Sequence, residues 1–427
     1  MKCQSIVVVV LITLAGSGAA ASEERPYLTT QSPITLFSTN DGEVNQTYKL
    51  TDDQTTDWDL KTKDSFTVIH LGPDHPPIIR TIYDTVPCTI LGTPTMAMSS
   101  DGRYVLVANH SNRTELLKKL KLPDGPQTNA DLTPELLKRP KMTAQLVNML
   151  SLVDLATPDY RVVDRVAFDD RPVHVLAHPD GERFITGGDK YFYIHQIENG
   201  RLIEVSRNPQ PHGVPCFWIH PQGHRLIATQ GNLLTDLPTT VQWYSIRGNR
   251  IEHLSEVKLA AEVPSKLLES SYILRVSPDG TRALICQRSM PAGRDNSDIL
   301  VADLTQDPPV INAVVKRVSD GSESFAFHPN GKMAVATGLG TDHNCIVVLD
   351  TVSNPPRLLY TLDAKGIGQG IEFTPEGDKL FVASAIAGRI EVFDVVGDFE
   401  LRKNPKFLNI GFGHNSLTIG PRYQPKE

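Results

Sequence analysis

One short phrase recurs six times in this chain: an alternating apolar stretch, a tight turn, then a second apolar stretch. The copies are MAMSSDGRYVLVA (96–108), VLAHPDGERFITG (175–187), FWIHPQGHRLIAT (217–229), LRVSPDGTRALIC (274–286), FAFHPNGKMAVAT (325–337) and IEFTPEGDKLFVA (371–383); a seventh begins as LTIGP (417–421). Counting from the third turn residue (Asp101, Asp180, Gln222, Asp279, Asn330, Glu376), positions −5 and −3 are apolar in every copy. They are Met96/Met98, Val175/Ala177, Phe217/Ile219, Leu274/Val276, Phe325/Phe327 and Ile371/Phe373. A spacing of two puts both side chains on one face of a strand. The Pro-Asp-Gly type of turn supplies a preset φ, a side chain that bonds local backbone, and a glycine tolerant of positive φ. Each phrase therefore predicts a β-hairpin.

The marker residues are 79, 42, 57, 51 and 46 positions apart. A period of about 40–50 residues is that of four-stranded propeller blades. The remaining strands of each unit are legible as YFYIHQI (191–197), TVQWYSI (240–246), DILVADL (298–304), CIVVLDT (345–351) and RIEVFDV (389–395), each followed by a short final strand. The long first interval contains an insertion, 111–145, with two helix-like stretches; in the second, Thr133 is placed as N-cap and Pro134 at the first helical position. The seventh unit has an inner strand at 414–420 and lacks the rest. SFTVIHL (65–71) and PIIRTI (78–83) read as its outer strands, with ITLFST (33–38) a candidate for the other. The expectation is an all-β, seven-bladed β-propeller whose N- and C-terminal segments close one blade, which removes two open sheet edges.

The N-terminus carries Lys2, the apolar run SIVVVVLITLAG (5–16) and small residues Ala19 and Ala21 before Ser22. This pattern predicts a signal peptide over 1–21, an extension over 22–64 that partly closes the ring, and the propeller over 65–427. The expected location is periplasmic or extracellular, with no membrane span, since the apolar run is short for one. With 42 basic and 49 acidic residues the formal net charge is −7, and no basic run exceeds KKLK (118–121), so nucleic acid is not an expected partner. Cys88, Cys216, Cys286 and Cys345 are dispersed with no C-x-x-C spacing, which speaks against zinc, haem or a disulfide framework. No cofactor motif is present: Gly338-Leu339-Gly340 opens no helix, and no metal is expected.

The phrases SSDGRYVLVAN (99–109), HPNGKMAVATG and TPEGDKLFVASAIAGRIEVFDV resemble the secreted seven-bladed propellers of the YVTN-repeat and lactonase-like superfamily, from about residue 65 to the end. That resemblance implies the fold, while the superfamily's members include sugar-lactone hydrolases, electron-transfer subunits and binding proteins. Lactonase-like members usually carry His and Arg at entries to inner strands and a glutamate in the channel. PHGVPCFWIHPQG (211–223) resembles one such entry and supplies His212. Glu323-Ser324 and Gln369-Gly370 stand where Arg-His and Arg-Phe types would be expected, so the catalytic set is incomplete.

Because the turns share one face of the disc, the variable loops and the insertion share the other, and function is expected there. The polar groups converging on that mouth are His174, His212, Glu323, Gln369 and His414, with Asn109, Arg171, Arg288 and His343 further out. The favoured function is binding of a small molecule, a glycan or a protein by this face. The alternative is a hydrolase or isomerase acting on a lactone or cyclic sugar derivative, with His212 and Glu323 as its acid–base groups. His178, His220 and His328 lie within the repeat and are read as turn-packing residues.

Overall fold

The computed structural model describes residues 26–42, 63–83, 85–88, 94–110, 148–211, 216–230, 240–258, 268–270, 273–290, 297–319, 321–339, 344–364, 366, 368–384 and 387–423. They form seven small antiparallel sheets. Inner strands of consecutive sheets touch one another around a ring. The chain is a seven-bladed β-propeller.

Blade 1 is made from both ends of the chain: inner strand His414–Pro421, then Ile34–Asp41, Ser65–Leu71 and Ile78–Tyr83. Ile34 pairs with Pro421 and Asp41 with His414, which is the expected closure, and the strand taken from the N-terminal extension is the second one. Blades 2 to 7 follow in chain order, with inner strands Met96–Met98, His174–Ala177, Cys216–Ile219, Leu274–Val276, Gly321–Phe327 and Gly368–Phe373. In blade 5 a further strand, Leu268–Ser270, pairs with the far end of Arg282–Met290.

The core lies between blades. Seven apolar clusters are buried, and each joins two successive sheets. The −5 and −3 residues supply them: Val175 packs on blade 2, Phe217 and Ile219 on blade 3, Leu274 and Val276 on blade 4, Phe325 and Phe327 on blade 5. One reading needs correction. The outermost strands are not short: Val310–Ser319 and Glu400–Asn409 have 10 residues each, against three in the inner strands Met96–Met98 and Leu274–Val276. Room grows with distance from the axis, and bulges add residues to most outer strands.

All six turn glycines (102, 181, 223, 280, 331 and 377) have φ between 70° and 78°, as the turn chemistry requires. The histidines of the repeat join these turns from blade to blade. In His178, His220 and His328, Nδ1 accepts the N–H two residues on, at 3.2 Å, and Nε2 meets the turn-glycine carbonyl of the next blade. Those carbonyls belong to Gly223, Gly280 and Gly377, at 2.7, 3.0 and 3.0 Å. Between blades 2 and 3 the Ser100 hydroxyl makes the same link, donating to the Gly181 carbonyl at 2.9 Å. The rings fill the space a Cβ would need on Gly280 and Gly377. Replacing the buried His328 by alanine should cost about 1–3 kcal/mol, since two hydrogen bonds are lost and two backbone groups lose their partner. Urea unfolding checks this; a change below about 0.5 kcal/mol would show that the link carries no stability.

Cys88, Cys216, Cys286 and Cys345 are buried, with no disulfide among the described residues. No helix among those residues is long and apolar enough to cross a membrane. The segments read as signal peptide (1–21) and insertion (111–145) lie outside the described residues.

Candidate functional site

Around the axis, the −7 residues of blades 6, 7 and 1 are Glu323, Gln369 and Asn415, at the loop-bearing end of their inner strands. Pairing in blade 6 slips between Ser322 and Ser324, and in blade 7 between Gly368 and Ile371. Bulges re-aim side chains, and here they do so at equivalent places in adjacent blades. The result is a chain of polar contacts from blade to blade. The Gln369 amide donates to Glu323 Oε2 at 3.5 Å, its Oε1 accepts the Asn415 N–H at 3.1 Å, and Asn415 Oδ1 accepts the Gly370 N–H at 2.7 Å. Gly370 is required there, because a Cβ would strike Leu417. Asn415 Nδ2, the nearby Asn40 Nδ2 and the Ser322 hydroxyl are buried with no hydrogen-bond partner. Buried donors in that state ask for an explanation.

The other residues expected at the mouth divide into groups. His414 starts the inner strand of blade 1, opposite Asp41. Asn109 ends a blade 2 strand and is fully buried. His174 starts the inner strand of blade 3 with its ring 6.4 Å from that of Phe217, fully buried, neither nitrogen hydrogen-bonded. Burial, aided by the neighbouring His110, pushes its pKa down to about 3. His110, equally buried and unpartnered, is pushed down to about 4, by burial first and Arg171 second. Arg171 forms a two-point ion pair with Asp189, at 2.6 and 2.8 Å. The carboxylate of buried Asp170 shapes that loop by accepting the N–H groups of Asp189, Lys190 and Tyr191 at 2.8–3.1 Å. Arg288 lies opposite Ser297 and Ser270 in blade 5. His212 and His343 lie outside the described residues. The structure thus brings Glu323 and Gln369 together and pairs His174 with His110.

The turn-bearing end holds residues that the sequence reading missed. The −4 residues Trp218, Arg275 and Glu372 face the channel. Arg275 makes two bonds of 2.8 Å to the Glu372 carboxylate across blade 6, and its guanidinium lies 4.3 Å from the Trp218 ring centre. It also donates to the Phe325 carbonyl at 3.3 Å. A vestibule of about 400 Å³ opens beyond this group, lined also by Met96, Met98 and Thr418. The missed signal was available: among aligned −4 residues, only Arg275 and Glu372 are charged, and with opposite signs. No group of three or more metal-ligating side chains occurs among the described residues.

Comparison of the whole fold with solved structures places it. The periplasmic gluconolactonase of Pseudomonas aeruginosa superposes with a TM-score of 0.60, over 90% of this chain and 99% of that one, at 14% identity. This chain shares that protein's fold. A candidate 6-phosphogluconolactonase from Bacteroides fragilis gives 0.59 over 92% and 99% at 13% identity. The hydrazine synthase of Kuenenia stuttgartiensis gives 0.53 over 77% and 89% at 14% identity. At such identities the likeness is one of fold. No protein-family model matches the chain, and no curated protein matches it.

Proposed function

We propose that this protein binds a small polyhydroxylated molecule, of sugar or sugar-lactone class, at the loop-bearing mouth of the channel after export from the cytoplasm. The observation that supports this most is the Glu323–Gln369–Asn415 chain with its unpartnered Asn415 amide. A carboxylate and amides in a row match alternating hydroxyl donors and acceptors, and a ligand oxygen would satisfy the orphaned N–H. In this reading His174, His414, Asn109, Arg171 and Arg288 belong to the elements that frame the ligand. Export is supported by the N-terminal sequence and by the fold shared with a periplasmic protein.

A second reading, lactone hydrolysis, is favoured by superposition on a gluconolactonase over nearly the whole of both chains. Glu323 would take a proton from water as its oxygen attacks the lactone carbonyl; the ring C–O bond breaks, and protonated His212 supplies the proton to the departing alkoxide. Calorimetry and a hydrolysis assay on 1,5-gluconolactone and its open acid, run with wild type and Glu323→Gln, test both readings. Binding should weaken at least about tenfold in the variant. If hydrolysis occurs, it should fall by about 10²–10⁴-fold. Unchanged binding and turnover would remove Glu323 from the site.

A further inference from the structure

Seven blades give seven outer edges, and these serve as controls for one another. A sheet edge offers unpaired backbone groups to any other strand, and proteins blunt it with bulges, charges or proline. Six outer strand pairs, in blades 2 to 7, carry a register shift. Blade 1 does not: Ser65–Leu71 and Ile78–Tyr83 pair without interruption from Ser65↔Tyr83 to His70↔Ile78. Its edge strand reads IIRTIY, with one charge in six residues, while Arg250–Lys258 carries four in nine and Glu400–Asn409 four charges and a proline in ten. Ile78 and Ile79 are 50% and 39% exposed. The single charge is drawn away from the edge, since Arg80 bonds the Pro158 carbonyl of blade 2 and lies 5.2 Å over the Tyr160 ring. Among the described residues no strand pairs with the outer side of this edge.

The geometry points to the blade 1 edge, Ile78–Tyr83, as a self-association surface on which a second copy of this chain adds its own blade 1 edge antiparallel, about a two-fold axis. Two-fold symmetry between antiparallel strands requires one residue to face its own counterpart. Centred on Thr81, the register sets Thr81 against Thr81, Arg80 against Ile82 and Ile79 against Tyr83. Threonine pairs and aromatic–aliphatic pairs favour such a ladder, and no like charges stand opposite. In this register the strand is complementary to a second copy of itself. Six residues a side bury far less than the roughly 1,200–2,000 Å² of stable complexes, so the dimer should be weak, with Kd on the order of 10–100 μM.

Sedimentation equilibrium of the full chain from about 1 to 300 μM tests this. The expected result is a rise from one chain mass toward two. Ile79→Lys should raise Kd at least about tenfold with an unchanged circular dichroism spectrum and melting point. Ile203→Lys, on the bulged blade 3 edge, should leave Kd as it is. Thr81→Cys adds a register test: mild oxidation should give a disulfide-linked dimer that wild type does not form, Cys88, Cys216, Cys286 and Cys345 being buried. A monomer at every concentration overturns the proposal, as does a dimer that Ile79→Lys leaves intact or that Thr81→Cys fails to cross-link.

Discussion

Alanine at Glu372 is expected to destabilise the fold by about 2–3 kcal/mol, and a compensating apolar pair to restore most of it. The carboxylate accepts both bonds of the Arg275 guanidinium, whose face is already covered by Trp218. Without it, a guanidinium is left in a narrow channel with the Phe325 carbonyl as its remaining recorded acceptor. Removing one partner of a buried pair costs about 3–5 kcal/mol, whereas replacing both with apolar groups is often neutral. The side chains here are 20% and 13% exposed, so residual hydration brings the expected cost below that range. A double-mutant cycle of Glu372→Leu and Arg275→Met, read by urea unfolding, measures the coupling. A coupling below about 0.5 kcal/mol would mean that blades 5 and 7 are not tied through this pair.

The second large effect is acid sensitivity above the usual carboxylate range. His110 and His195 are pushed down to about 4 and His174 to about 3, in each case chiefly by burial. In the unfolded chain all three titrate near 6.5. Above that pH both states are neutral and the histidines contribute nothing to pH dependence. Below it the unfolded chain binds protons that the folded protein refuses, so stability falls with pH until the folded-state values near 4 and 3 are reached. Between pH 6.5 and 5.5 each histidine accounts for about 1 kcal/mol, or about 3 kcal/mol together. Asp180, held down to about 2 by backbone and Arg183 hydrogen bonds against its burial, adds to the loss only below about pH 4. Unfolding free energies from pH 7.5 to 5 check the slope, and His195→Phe should reduce it by one proton. A slope equivalent to less than one proton in wild type would contradict the burial argument.

How far the sequence reaches depends on the kind of information. Repeated offsets exposed the hairpins and the −5/−3 core face because burial between blades imposes the same demand on each copy. Closure by Ile34–Asp41 was legible from an incomplete seventh unit and spare strand-like segments. Glu323 and Gln369 were read as converging on the mouth, but the pairing slips beside them were not legible, because a bulge leaves no mark in apolar periodicity. The Arg275–Glu372 tie was also missed, though its residues stood at a common offset: attention to apolar positions passed over the one between them. His110 escaped for a different reason. It follows the last residue of a strand and precedes the insertion, so only packing reveals that it is buried beside His174.

The joining of His414–Pro421 to Ile34–Asp41 also bears on kinetics. This pairing brings together the most distant segments of the ring, so its closure carries a large loop entropy and has no local contacts to nucleate it. Such a contact is expected to form late, after the transition state, and contacts of that kind govern the rate of unfolding far more than the rate of folding. The seam is therefore where the lifetime of the folded ring is set, apart from how stable it is at equilibrium.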